Sequence, residues 1–178
     1  MFYRVTLLLL LSTIFLQASI KEFQNLKTLQ SKFIQTITSS SNTKIDYKGE
    51  LFIKNSGKIL WSYQEPVRKD VFVNGSEVII NEPDLEQAII TKLDKEIDML
   101  KMLNEAKKID ENIYSSKIDN TEYKIVLKNG KIDKILYKDE IENSVEIKFI
   151  NTILDGQISD SKFIFNIPLG YDLIRKYV

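Results

Sequence analysis

The 178-residue chain contains no cysteine and no histidine. The first absence removes disulfides, thiolate zinc sites and cysteine nucleophiles. The second removes the Ser-His-Asp triad, imidazole ligation of metals and the one side chain that titrates near neutrality. An excess of one charge is missing too: 25 Lys plus Arg stand against 25 Asp plus Glu. A nucleic-acid-binding domain normally carries a basic excess, so no nucleic-acid partner is expected. The six glycines fall mostly in turn contexts and form no phosphate-binding loop. A chain of this length is expected to be one domain that buries a real core without staples. No catalytic residue, metal site or cofactor is assigned.

What is present begins with an address. Met1-Phe2-Tyr3-Arg4 precedes an almost wholly apolar run from Val5 to Leu16, and the small residues Ala18 and Ser19 follow. One early positive charge, an apolar run of about a dozen residues and a small-residue exit describe a secretory signal peptide. The run is shorter than the roughly 20 residues that span a bilayer. Residues 1–18 are therefore expected to be removed after Ala18, with Ser19 as a near alternative, leaving residues 19–178 as a single exported domain. The cut takes away Arg4 and no acid, so the mature chain carries a net charge of −1. Without a cysteine it cannot be lipidated as bacterial lipoproteins are, and in a Gram-negative cell its compartment would be the periplasm.

The periodicity of the remainder predicts mainly β structure with two helices. Ile20, Phe23, Leu26 and Leu29 share one helical face over 20–30. From Ser31 the period becomes two. Phe33, Gln35 and Ile37 line one face of a strand, as do Tyr47, Gly49, Leu51 and Ile53, and then Ile59, Trp61 and Tyr63. Pro66 should end the third strand. Asn74-Gly75 suits a type I′ hairpin between Asp70–Val73 and Glu77–Ile80. A turn at Glu82-Pro83-Asp84 leads to a strand from Gln87 through Leu93. Between Asp94 and Lys108 the period is helical again, with Asp94 as N-cap and Ile97, Leu100, Leu103 and Ala106 as the stripe. Strands resume after Ile113: Tyr123, Ile125 and Leu127, the Asn129-Gly130 hairpin, Ile132 through Tyr137, Ser144 to Leu154 and Lys162 to Ile167. Short turns imply antiparallel neighbours, so the expectation is one large antiparallel sheet of nine or ten strands that curls, covered by helices.

The candidates for chemistry reduce to ordinary structure. Asp84 with Glu86 could be read as a carboxylate pair, but a turn accounts for both. Asp94, Glu96 and Asp98 lack the glycine and distal glutamate of a calcium loop and suit a helix N-terminus. The positive feature is apolar surface. Leu51, Ile53, Trp61, Tyr63, Val71 and Val73 would share a sheet face, and Phe23, Leu26, Leu29, Ile97, Leu100, Leu103, Met99 and Met102 would come from the helices. On composition alone such a stripe is more often a packed core than the lining of a ligand cavity.

A set of motifs in order carries a family resemblance. Phe33-Ile34-Gln35-Thr36, Gly49-Glu50-Leu51-Phe52-Ile53-Lys54 and Leu60-Trp61-Ser62-Tyr63-Gln64-Glu65-Pro66 come first. Val73-Asn74-Gly75, Pro83-Asp84-Leu85-Glu86-Gln87, Phe163-Ile164-Phe165 and Pro168-Leu169-Gly170 follow. From about residue 20 onward the chain resembles the outer-membrane lipoprotein carrier (LolA) family. The resemblance implies an unclosed half β-barrel lidded by helices, a monomer that binds the acyl chains of triacylated lipoproteins. It further implies loading by an inner-membrane ABC transporter of the LolCDE kind and unloading to an outer-membrane acceptor of the LolB type. Acyl-chain contacts would fall on Phe23, Leu26, Leu51, Ile53, Trp61, Tyr63, Val71, Leu100 and Leu103. Many members carry an arginine that latches the lid where this chain has Asn55, which has neither the charge nor the reach of a guanidinium. Ile59 occupies the place of a large apolar residue that contacts the transporter. A periplasmic lipid-binding sensor on the same half-barrel is the alternative.

Overall fold

The computed structural model of the chain describes residues 25–93, 99–118 and 120–176, with Lys101 and Asn104 described by backbone alone. The expected signal peptide, Phe23, Asp94, Glu96, Ile97 and Asp98 lie outside these residues.

Twelve strands form one sheet. The first six are β1 (Thr28–Thr38), β2 (Lys44–Lys54), β3 (Lys58–Glu65), β4 (Lys69–Asn74), β5 (Glu77–Glu82) and β6 (Gln87–Lys92). A helix, α1 (Met99–Asn104), separates them from β7 (Lys107–Asp110), β8 (Ile113–Ile118), β9 (Thr121–Lys128), β10 (Lys131–Lys138) and β11 (Ser144–Leu154). The last strand is β12 (Asp172–Lys176). The order across the sheet is β12-β6-β5-β4-β3-β2-β1-β11-β10-β9-β8-β7. Two meanders thus run outward from a central seam, where β1 pairs antiparallel with β11. The two ends of the order are β12 and β7, so the sheet does not close on itself. This is the open, mainly β architecture that the turn spacing implies.

Alternation sets the faces, because successive side chains on a strand point to opposite sides. On β1 the inner face carries Leu29, Ser31, Phe33, Gln35 and Ile37. Through the register it continues into Ile53, Leu51, Gly49, Tyr47 and Ile45 on β2 and Phe149, Ile147 and Val145 on β11. The β1–β11 seam slips by one residue between Gln30 and Lys32. Ser31 repairs it: its Oγ donates to the Lys32 or Ile150 carbonyl and accepts from the Ile150 N–H at 3.2 Å. The groups freed by the bulge are thereby paired inside the protein.

Several expectations are corrected. The helix expected over 20–30 does not occupy residues 25–30: Asn25 has φ +77 and Thr28–Gln30 are the start of β1. Leu26 and Leu29 are three apart in sequence, but Leu29 is held by pairing to Ile53 on one side and Leu154 on the other. The second helix stops at Asn104, because Lys107 and Lys108 pair with Ser115 and Tyr114 as an edge strand. Lys162–Ile167 is not a strand. A 3-10 turn over Asp160–Phe163 opens an extended strap, and the apolar alternation there lays Phe163 and Phe165 on the outer face. That strap is a long crossover, and it delivers β12 parallel to β6, the one parallel pair among the described strands.

The turns follow their residues. Asn129 and Gly130 both have positive φ, +52 and +76, as a type I′ hairpin requires. Between β4 and β5 only Gly75 does, at +62, and the loop is Gly75-Ser76. That is the type II′ pattern, so the predicted I′ turn is corrected by one position.

The strap makes a second, small core on the outer face. Phe52, Leu60 and Phe163 are buried together with Phe72 and Ile158 against them, and Phe165 stacks on Phe72 at 5.4 Å. Asp160 fastens the start of the strap, 2.6 Å from Lys54 and 3.4 Å from Lys58.

Candidate functional site

The inner face is one continuous apolar surface. Leu26, Leu29, Phe33, Leu51, Ile53, Ile59, Val73 and Val78 from the first meander join Ile125, Leu127, Ile132, Ile135, Val145, Ile147 and Phe149 from the second. Helix α1 lies over it, touching both β2 and β8. Leu100 and Leu103, from the stripe that the helical period marks, are buried in the same cluster, and Met102 is buried beside them. Because β2 and β8 belong to different meanders, the helix spans the trough between them.

Of the nine residues proposed as acyl contacts, eight meet in this cluster. Leu26, Leu51, Ile53, Leu100 and Leu103 are buried within it, and Trp61, Tyr63 and Val71 pack against it half-buried. Phe23 lies outside the described residues. Ile59 is only 2% exposed, between its cross-strand partners Ile53 and Val73. In this conformation it is part of the core, and contact with another protein would require the cluster to open. Asn55 is exposed, and its backbone N–H donates to the Lys27 carbonyl at 2.9 Å. No side-chain bond to α1 stands in for the missing guanidinium among the described residues. Lys27 is instead held by the backbone, its own N–H donating to Asp155 Oδ1 at 2.7 Å.

Toward one end of the trough the lining changes character. The Phe33 ring meets Trp61 and Tyr63 edge-on, with centroids 5.0 and 5.2 Å away, and Tyr47 meets Tyr63 at 6.0 Å. On the second meander Tyr123 and Tyr137 are paired at 5.0 Å. Gln35 sits between the two groups. Tyr63 donates to its Oε1 at 3.0 Å, and its amide faces the Tyr137 hydroxyl. Burial pushes the Tyr63 phenol up to about 12, with Tyr137 and Tyr47 adding to the shift. Burial raises Tyr137 as well, with Tyr123 and Asp139 adding, against the opposing hydrogen bond from Gln35.

Of these residues only Trp61 and Tyr63 stand out from sequence as site candidates. Gln35, Tyr123 and Tyr137 read as strand residues, but nothing local tells that β1 and β10 flank β11. The seam that joins them connects residues more than a hundred apart in sequence.

The acidic alternatives fall away. Asp84 accepts from Arg68 Nε at 2.9 Å, and that hydrogen bond holds its carboxyl below the usual carboxylate range. Glu86 is the left-handed residue that closes the turn, at φ +50. A broad groove of about 1030 Å³ on the outer face gathers Glu122, Asp139, Glu142 and Glu146 beside Lys44, Lys124 and Lys138. Four of its five acids are engaged: Glu122 with Ser115, Asp139 with Asn143, Glu142 with Lys138 and Glu146 with Lys134, while Glu140 completes the lining. Among the described residues no cluster of acids could hold a metal ion.

Comparisons with known proteins agree with this geometry. A family model described as outer membrane lipoprotein carrier protein LolA matches residues 24–121. An outer-membrane lipoprotein carrier protein of Campylobacter jejuni is 37% identical over 151 residues, which cover 85% of this chain and 88% of that one. Another, of Wolinella succinogenes, is 32% identical over 156 residues, covering 86% and 90%. Among solved structures, an uncharacterized conserved protein from Thermus thermophilus superposes with a TM-score of 0.55 at 9% identity, over 89% of this chain and 94% of that one. At that identity the likeness concerns the fold alone. With two long matches above 30% identity and a family match over more than half its length, the chain belongs to the LolA family of outer-membrane lipoprotein carrier proteins.

Proposed function

We propose that this protein works outside the cytoplasm, in the periplasm, as a non-enzymatic carrier that takes up the acyl chains of lipoproteins. The chains would lie between the inner face of the sheet and α1, against Leu26, Leu51, Ile53, Trp61, Tyr63, Val71, Leu100 and Leu103. Loading from an inner-membrane ABC transporter of the LolCDE type and delivery to an outer-membrane acceptor of the LolB type complete the reading. Its main support is the single apolar face shared by both meanders and bridged by α1.

The physical need is large. Three acyl chains hold about 40 methylenes, each costing about 0.8 kcal/mol in water, so an uncovered lipoprotein would carry a penalty on the order of 30 kcal/mol. A carrier must offset most of that and still let go. The described part of α1 is held to the sheet through its buried apolar side chains, so it stays in place while they are docked. Acyl chains that compete for the same surface displace it, so α1 is the natural gate. The register also explains what the gate covers: Leu100, Met102 and Leu103 occupy the space that the chains would take.

The purified protein should release a labelled lipoprotein from inner-membrane spheroplasts in a soluble one-to-one complex. Retention of the lipoprotein on the spheroplasts, with the folded protein in excess, would overturn the carrier reading.

A further inference from the structure

Along the strands of the inner face, exposure rises in one direction. At the α1 end Leu29, Leu51, Ile53 and Ile59 are at most 2% exposed, and Val73, Val78, Leu127 and Ile132 are buried beside them. Toward the other end Tyr47, Tyr63, Tyr123, Tyr137 and Lys69 are half-buried, and beyond them Ile45 is 46% exposed. The trough is sealed where it is aliphatic and open where it is aromatic and polar.

The polar groups at the open end have capacity to spare. Tyr63 uses its proton on Gln35, whose amide faces the Tyr137 hydroxyl. Among the described residues no acceptor takes the Tyr137 proton. The Lys69 ammonium lies 5.2 Å from the centre of the Tyr63 ring, and no carboxylate among the described residues pairs with it. A half-buried cation and a half-buried hydroxyl at the mouth of an apolar trough suit oxygen acceptors attached to long hydrocarbon chains. Tyrosine rings suit the same boundary, with an apolar body and a polar tip.

We infer that Gln35, Tyr63, Lys69 and Tyr137 form a head-group site that hydrogen-bonds the ester and amide carbonyls joining the acyl chains to a lipoprotein's first residue. The tails then point toward α1 and the polypeptide leaves past the open end. This rests on the carrier reading and adds a direction to it: cargo enters head-last from the tyrosine end. Ester carbonyls also occur in diacyl phospholipids, so the source of the carbonyls is part of the test.

The experiment compares three probes on the wild-type protein and on the Tyr137→Phe/Lys69→Met double variant. They are a tripalmitoylated cysteinyl lipopeptide, vesicles of a diacyl phospholipid, and a fluorescent hydrocarbon without carbonyls. Losing two donors should weaken lipopeptide binding about tenfold or more and leave hydrocarbon binding unchanged. Tyr137→Phe alone, with a side chain of nearly the same shape, should show part of the loss if the double variant folds poorly. An equal loss for lipopeptide and hydrocarbon, or no loss for either, would overturn the head-group site and leave the carrier reading intact. A loss confined to the phospholipid would assign the carbonyls to that lipid and overturn the inference as stated. Failure of the wild-type protein to bind the lipopeptide, with hydrocarbon binding retained, would sink the carrier reading and the site with it.

Discussion

The Phe33 ring occupies the space above Gly49, its cross-strand partner on β2. A methyl group at Gly49 would fall 2.9 Å from Phe33 Cζ and 2.0 Å from the Ser62 carbonyl oxygen. The ring could swing away, but the carbonyl belongs to the neighbouring strand and cannot. Gly49→Ala should therefore lower stability by about 3 kcal/mol, at the upper end of what overpacking costs. Chemical denaturation of the two proteins measures it, and a loss below about 1 kcal/mol would mean that β2 and β3 can part locally at no great expense.

The strap has an acid-sensitive fastening. Hydrogen bonds and charge from Lys54, then Lys58, hold the Asp160 carboxyl below its ordinary value of 3.8. A depressed carboxyl contributes stability that is present above the unfolded-state value and lost as pH falls through the folded one. The strap should hold at pH 5 and above and loosen as pH drops below about 4. Because the pair is exposed, Asp160→Asn should cost little overall and should remove this acid step. Hydrogen exchange of the Phe163–Phe165 amides against pH reads it out, and an identical acid response in the variant would count against the fastening.

Alkali should act on the trough. With Tyr63 pushed up to about 12, the folded protein keeps a proton that the unfolded chain gives up near 10. Stability from this group is complete below pH 10 and is lost as pH rises toward 12. Ultraviolet titration should find a phenol that ionises late, and Tyr63→Phe should remove that late step. Its persistence in the variant would assign it to another tyrosine.

Docking of α1 can be separated from folding of the sheet. Leu103 is buried at 5% exposure, and a charge placed there without a partner is costly. Leu103→Asp should undock the helix, raise binding of a hydrophobic dye several-fold and leave the far-ultraviolet β signal in place. Loss of the β signal at ambient temperature would make α1 an obligatory part of the core, and a gate there would be untenable.

Much of this fold is legible because strands with one buried face write period two into the sequence. β11 is predicted as Ser144 to Leu154 and found over the same residues. Pro66 marks the end of β3, which closes at Glu65. The failures have a common cause, which is that a local pattern does not name the partner. Leu26 and Leu29 fit a helical face until pairing with β2 and β11 makes Leu29 part of a strand. Phe163, Ile164 and Phe165 alternate as a strand would, yet they serve an extended strap whose side chains pack on Phe52, Leu60 and Phe72. The head-group candidates are hidden for the same reason: Gln35 and Tyr137 come together only through β11.

A sheet with two ends exposes two rows of unpaired backbone groups, and here each end is charged. β7 carries Lys107 and Lys108, exposed throughout its length. β12 carries Arg175 and Lys176, both exposed. Strand-to-strand addition of another copy would crowd ammonium and guanidinium groups along the new join. The sheet is thus kept from growing into fibrils at its margins, and the burden falls on Lys107, Lys108, Arg175 and Lys176.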